Sequence, residues 1–296
     1  MNIAIAGLGL IGGSFFKAFS GRGHSVTGFD IGDPVDVANA DIVIVALHPS
    51  TAVEWISSHS GEFKEGAAIV DTCGVKGYVM DRIGPVAAGA KWFFVGGHPM
   101  AGKEVAGFRN SDPGLFRNAS MILVPGPGVP SQTMDILNNL FLEAGFKKIV
   151  ISDAAEHDSK IAYTSQLCHI VSSAYLRDEL ALGYDGFSAG SFRDMIRVGA
   201  PDPALWSELF SENRQALVPV IDRFIARMTA MRDAIAADDT AAVANQLAEG
   251  RKIKEKVNAG PIAVYSRPMR GTREWRKIDA GKKMPENFID EWTVPK

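Results

Sequence analysis

Cysteine is nearly missing from this 296-residue chain, which has only Cys73 and Cys168, far apart and in apolar or Gly-rich surroundings. Neither a disulfide framework nor the paired spacing of a zinc site can be built from them, so no metal is expected and a reducing, cytoplasmic setting fits. Long apolar runs are missing too. No window approaches the roughly 18 unbroken apolar residues of a membrane span. The opening "MNIAIAGLGLIGG" lacks the basic flank of an export signal, so no membrane partner is expected. The third lack is positive charge: 31 Lys+Arg against 34 Asp+Glu give a formal net charge of −3. Nothing in that balance attracts a polyanion, which argues against nucleic acid as a partner. What remains is a chain with 46% hydrophobic residues, long enough for two domains with full cores. Small-molecule chemistry is the expectation.

The first half alternates short β-type runs with helical stretches. "NIAIA" (2–6) runs into "GLGLIGGS", a helix-compatible stretch follows, and a second run, "SVTGFD", ends at Asp30. Gly7, Gly9 and Gly12 fall in G-x-G-x-x-G spacing between a strand and a helix, the context in which that motif binds a dinucleotide. Gly7 permits the tight turn, Gly9 lets backbone approach a pyrophosphate, and Gly12 lets helix and strand pack closely. The first helical turn, with Leu10 and Ile11, then faces the phosphates. Asp30 is placed to accept from a ribose hydroxyl and to repel a 2′-phosphate, which favours NAD over NADP.

Further runs at 41–47, 67–71, 92–95, 120–124 and 147–151 complete a doubly wound α/β pattern. Ligands of such sheets bind beyond the carboxyl ends of the strands. His48 and Pro49 follow the third run, Thr72 and Lys76 the fourth, and His98, in "GGHPMAG", the fifth. His48, Pro49 and Thr72 are expected to border the cofactor. His98 is expected in the loop where a nicotinamide meets its substrate. Lys76 either attracts an anionic substrate or orders its own loop.

From about residue 153 the β-type runs stop and helical periodicity takes over. Leu167, Ile170, Val171 and Ala174 form an apolar stripe, while Asp158, Ala162, Ser165 and His169 form a polar one on the same expected helix. Its members are small or imidazole, as in a pocket wall. His157 is read as serving the helix start. Arg197, between Ile196 and Val198 and near Arg193, Asp194 and Trp206, either pairs with a buried carboxylate or awaits an anionic ligand. Helices over about 204–237 and 240–258 are longer than one small core needs, so dimerisation through them is expected. The tail from 260 holds "SRPMRGTREWRKIDAGKK", seven basic residues against two acidic, and reads as a solvated extension.

Taken in order, "GLGLIGGS", "DTCGVKG", "GHPMAGKEVAG", "HDSKIAYTSQLCH" and "RDMIRVGAPDPALW" resemble the prephenate dehydrogenase family over residues 1 to about 215. The resemblance implies a Rossmann-like doubly wound parallel sheet (1–152), an all-helical substrate and dimerisation domain (153–259) and a C-terminal tail (260–296). It implies NAD-dependent oxidative decarboxylation of prephenate to 4-hydroxyphenylpyruvate, on the route to tyrosine, by a homodimer. Arogenate is the nearest alternative substrate. A β-hydroxyacid dehydrogenase or imine reductase and a non-catalytic NAD sensor are more distant readings. By motif, His98 matches the catalytic histidine, Arg197 the substrate-binding arginine and His169 a pocket histidine. Glu104, Asp194 and Trp206 match pocket positions, and Ser165 and Lys76 are added as substrate candidates. Where the family writes D-x-x-S-V-K this chain has "DTCGVK", so Gly74 stands in for a serine that would help hold the catalytic histidine.

Overall fold

A computed structural model describes residues 1–103 and 105–259, and the backbone alone of 264–266 and 276–278. Glu104 and the expected solvated tail lie outside the described residues, apart from an antiparallel backbone pairing of Val264–Ser266 with Arg276–Ile278. Contacts group Met1–Arg223 as one compact unit and Phe224–Lys296 as another.

The first unit is built on a seven-stranded sheet: β1 (Asn2–Ala6), β2 (Ser25–Phe29), β3 (Ile42–Val45), β4 (Ala68–Asp71), β5 (Phe93–Pro99), β6 (Ser120–Pro125) and β7 (Lys148–Ile151), in the order β2-β1-β3-β4-β5-β6-β7. The helices between them are α1 (Leu10–Ser20), α2 (Pro49–Ser58), α3 (Gly77–Ala88) and α4 (Ser131–Glu143). Continuous apolar runs such as Ile42–Val45, buried throughout, are what a sheet covered on both faces requires. Phe15, Phe19, Phe116, Phe141 and Phe146 interlock at one side of the core, with Phe15 and Phe116 stacked at 4.2 Å between centroids.

The expected all-parallel sheet needs one correction: β6 runs antiparallel to β5. That reversal changes the setting of His98. Phe93–Val95 pair with β4, and Val95–Pro99 continue alone against β6, so His98 lies within a strand, opposite Ile122, and not in a loop after it. Pro99 closes the strand, where its missing N–H costs no central ladder bond.

Two further expectations about the helices change. The helix beginning at 154 is interrupted: α5 (Ala154–Ile161) and α6 (Leu167–Leu176) are joined by a π-helical turn, Ala162–Gln166. One extra residue in a turn rotates the helix beyond it, so residues 158 and 169 do not share a face. Likewise the helix expected over 204–237 is two, α8 (Pro203–Glu212) and α9 (Arg214–Ala236), broken at the buried Asn213. The Asn213 amide donates to the Asp158 carbonyl (3.0 Å) and to Gln166 Oε1 (2.7 Å), tying the break to α5 and the π-turn. Between α6 and α8 runs the short α7 (Gly190–Ile196), and α10 (Thr240–Ala259) follows α9. Asp153 and Asp202 cap α5 and α8 through Glu156 N and Leu205 N, each at 2.8 Å, which is why these helices begin where they do. Among the described residues no helix is long and apolar enough to cross a membrane.

Candidate active site

The glycine motif is folded as its spacing requires. Gly7 sits at φ +87° and its N–H donates to the Phe29 carbonyl at 2.8 Å. A Cβ on Gly12 would lie 1.8 Å from the Gly7 oxygen, so α1 can pack against the turn only with glycine there. At Gly9 the situation is opposite. A Cβ would meet no protein atom within 4 Å, and Gly9 begins α1 without any side-chain cap. The first-turn N–H groups, including those near Leu10 and Ile11, therefore have no side-chain acceptor, and the space beside Gly9 is open to a phosphate. Asp30, exposed just past β2, is anchored by Ile31 N at 3.0 Å and keeps its second oxygen for another donor. Arg22 is turned to the Ala18 carbonyl. These residues fit a dinucleotide.

At the end of β3, Pro49 is buried at the first position of α2 and His48 is exposed. Glu208 of α8 accepts from Ser50 N at 2.7 Å and lies 3.8 Å from His48 Nδ1, so this helix start already holds a carboxylate. Thr72, half-buried after β4, donates from its backbone N–H to Val45 O at 3.0 Å.

Of the two readings of Lys76, the substrate-facing one is corrected and the loop-ordering one fits. Its side chain is fully buried and its ammonium is bonded to the equally buried Asp71, so it cannot reach a substrate. The remaining lone pairs of Asp71 accept from Cys73 N at 2.9 Å and Gly97 N at 3.2 Å. A buried carboxylate demands a cation and donors close by. Sequence alone did not show that Asp71, the last residue of β4, points inward. The buried Lys76 stem crowds Gly96, where a Cβ would lie 2.9 Å from Lys76 Cδ, and a Cβ on Gly97 would lie 2.4 Å from the Asp71 backbone carbonyl oxygen.

Beside this pair lies a cavity of about 260 Å³ bordered by Gly74, His98, Ser165, His169, Trp206 and Leu209. It opens next to the carboxyl end of β4, where ligands of such sheets bind. A larger polar cleft of about 770 Å³, lined in part by Arg82, Glu208 and Glu212, contains no imidazole. Burial, with Glu208 next in effect, pushes the Glu212 carboxyl up to about 7.

In the smaller cavity His98 Nδ1 is 2.9 Å from His157 Nε2, and His157 Nδ1 is 2.7 Å from Asp158 Oδ1. Asp158 also accepts from Lys76 N and Gly77 N, each at 2.8 Å. Burial, reinforced by the nearby His157 and Lys76, holds His98 well below the usual imidazole range. Burial lowers His157 too, against the pull of Asp158. Burial works to raise Asp158, but the hydrogen bonds from His157, Lys76 N and Gly77 N outweigh it, and its carboxyl ends below the usual range. His157 therefore does more than serve a helix start. The signal for it was the His-Asp pair of "HDSK", which capping chemistry alone does not require.

Across the cavity His169 contacts the Val198 carbonyl through Nδ1 at 2.9 Å and lies on Trp206, with centroids 3.6 Å apart. Its proton affinity is lowered by burial first and also by the charge of Arg197. Arg197 is exposed at the end of α7 and no ion pair joins it among the described residues, which removes the buried-carboxylate alternative. Asp194 is exposed and, like Arg197, is not among the residues that border the cavity; Arg197 reaches it only through its charge on His169. α7 meets α6 through Ser172 Oγ donating to Met195 O and through Phe192 beside Tyr175, which leaves Asp194 on a solvent face. Asp158 leaves the expected pocket stripe as well, drawn to the loop after β4. Of that stripe, Ser165 and His169 line the cavity.

The comparisons with known proteins agree with this layout. The nucleotide-binding domain of prephenate dehydrogenase matches residues 22–150, and the prephenate dehydrogenase dimerization domain matches 153–249. Cyclohexadienyl dehydrogenase of Zymomonas mobilis is 30% identical over 282 residues, covering 86% of this chain and 94% of the relative. The chain belongs to the prephenate dehydrogenase family. Prephenate dehydrogenase of Bacillus subtilis is 29% identical over 266 residues, covering 80% of this chain and 71% of that one. The solved structure of prephenate dehydrogenase from A. aeolicus, in complex with hydroxyphenyl propionate and NAD+, superimposes with a TM-score of 0.73 at 22% identity, over 87% of this chain and 98% of that chain. At that identity the likeness is one of fold. Like its relatives, this member of the prephenate dehydrogenase family is an oxidoreductase with a nucleotide-binding domain.

Proposed function

We propose that the protein catalyses the NAD-dependent oxidative decarboxylation of prephenate to 4-hydroxyphenylpyruvate. The observation that carries this reading is His98, a strongly depressed imidazole whose second nitrogen faces a cavity walled by His169 and Trp206. NAD, when bound along Gly7, Gly9, Gly12 and Asp30, supplies the hydride acceptor. As hydride leaves the hydroxyl-bearing ring carbon, that hydroxyl shares its proton with His98 Nε2. When the opposite carbon loses carbon dioxide and the ring becomes aromatic, the proton returns to the oxygen. The balance of dianionic prephenate and NAD+ against a monoanionic product, carbon dioxide and NADH leaves no net proton.

Arg197 is assigned a substrate carboxylate, a charged hydrogen-bonded contact worth about 1.5–3 kcal/mol. Clamping the ring carboxylate would oppose its departure, so the side-chain carboxylate is the better target. Ser165 and His169 are assigned the remaining polar contacts. The functional division is placed at 152/153, with a homodimer formed through the helices, where α9 and α10 leave Ile225, Met228, Ile235, Leu247, Ile253 and Val257 exposed. The protein with NAD and prephenate should show growth of NADH absorbance, and no growth overturns the reading. Arogenate is the second substrate to assay in parallel, because the Zymomonas mobilis relative bears the broader name cyclohexadienyl dehydrogenase.

Two expected results arise from the charges. A base with a depressed value stays neutral until the pH falls through it, so kcat should stay level from about pH 8 down through the ordinary imidazole value of 6.5 and drop only below it. A pH–rate profile with its acid limb above 6.5 would assign the base elsewhere. For the cofactor, like-charge juxtaposition costs several kcal/mol. Asp30→Ser should therefore narrow the preference for NAD over NADP by about tenfold or more, read as a ratio of kcat/KM values.

A further inference from the structure

We propose that His157, anchored by Asp158, fixes the tautomer of His98 and is a positioning residue for the proton transfer, so that no side chain at position 74 is needed to orient the ring. The inference rests on the role given to His98 above and is carried by the order of donors and acceptors in the chain Asp158–His157–His98. Asp158 accepts from the backbone N–H groups of Lys76 and Gly77, one on each carboxylate oxygen, which keeps it ionised and acceptor-only. His157 Nδ1, 2.7 Å from Oδ1, must then carry the hydrogen, since a bare nitrogen would set a lone pair against the anion. A neutral imidazole has one N–H, so His157 Nε2 is an acceptor. His98 Nδ1, 2.9 Å away, is consequently the donor, and its Nε2 is left bare toward the cavity.

The tautomer is thus set from the buried end of the ring. The other end has no side chain to do it. A Cβ on Gly74 would lie 3.9 Å from His98 Nε2 and 3.3 Å from Leu209 Cδ2, so Leu209 already occupies much of the room beside the glycine. The three polar groups are rigidly mounted: Asp158 and His157 open the buried face of α5, Asp158 is tied to the first residues of α3, and His98 is held in β5. When the substrate proton reaches Nε2, the ring becomes an imidazolium whose Nδ1–H still donates to His157, and Asp158 supplies the facing negative charge. Lys76, whose charge is felt at His98, is already paired with Asp71.

The test is the nitrogen spectrum of the protein carrying ¹⁵N-labelled histidine, with assignments from His98→Asn and His157→Gln. The expected result for the unaltered protein is hydrogen on Nδ1 of both His98 and His157. His157→Leu should move the His98 hydrogen to Nε2 and lower kcat by about 30-fold or more, within the range that general-base assistance supplies, with KM changed much less. His157→Gln keeps an acceptor oxygen for His98 Nδ1–H and should restore most of that loss, which a merely structural role for His157 would not produce. Should the leucine variant fail to fold, the unaltered spectrum and the glutamine variant still decide. Hydrogen on Nε2 of His98 in the active unaltered protein, or a folded glutamine variant as impaired as the leucine one, overturns the proposal. An unaltered protein that shows both Nδ1–H signals but turns over neither prephenate nor arogenate would instead defeat the functional reading and leave the tautomer intact.

Discussion

His98→Asn should lower kcat for NAD and prephenate by at least about 100-fold, the lower end of what a positioned general base contributes. The substitution is chosen because the asparagine amide can still donate toward His157 Nε2, the bond that His98 Nδ1 makes at 2.9 Å, so the buried chain to Asp158 keeps its donor. What is removed is the bare nitrogen facing the cavity. NAD binding should be nearly unchanged, because the glycine turn lies between β1 and α1 and Asp30 just after β2, whereas the His98 ring is bonded to His157. Steady-state kinetics together with NAD titration by fluorescence check both halves. A loss under tenfold in a folded variant would show that another group takes the proton.

The largest stability effect is expected at a residue that never meets substrate. Lys76→Met should destabilise the protein by about 3–5 kcal/mol, the usual consequence of leaving a buried charge without its partner. Methionine fills a similar volume, so the loss reports charge more than packing. Asp71, wholly shielded from solvent, would keep only the N–H groups of Cys73 and Gly97. Adding Asp71→Asn to Lys76→Met should recover part of the loss, because the uncompensated charge is gone, while the amide oxygen can accept from only one of the two N–H groups, which bond different oxygens of the carboxylate. Urea denaturation midpoints of the single and double variants give the answer. Equal midpoints for Lys76→Met and the unaltered protein would mean that Asp71 is protonated or solvated in the fold.

The same two residues show where sequence reasoning stops. Lys76 comes five positions after a strand end, a place where substrate-facing groups are common, and its loop position alone gave no sign that it turns inward. The deciding fact is the direction of Asp71, and in a strand buried on both faces neither direction is marked by polarity in the flanking residues. His98 was legible as a candidate base from its glycine and proline neighbours, yet it was assigned to a loop. Its strand continues only because β6 arrives antiparallel alongside, and a pairing partner 24 residues further on leaves no trace in the run "GGHP" itself. The π-turn at Ala162–Gln166 is similar. Helical periodicity on either side was clear, but the phase shift between the two segments is set by Gln166 and Asn213 bonding across to each other.

By itself the sequence determined the alternation of strands and helices, the glycine turn with its uncapped helix start, the acidic residue after the second strand and the presence of an imidazole near the ends of the central strands. These are local properties, fixed by side-chain period, backbone freedom and the chemistry of neighbours in the chain. Only the tertiary structure decided which groups work together. It gave Lys76 to Asp71, left Asp194 in solvent, and set His157 against His98 across 59 residues of sequence. Hydrogen-bond partnership depends on distances of about 3 Å between atoms, and a periodicity read along one element says nothing of how closely a second element will approach it.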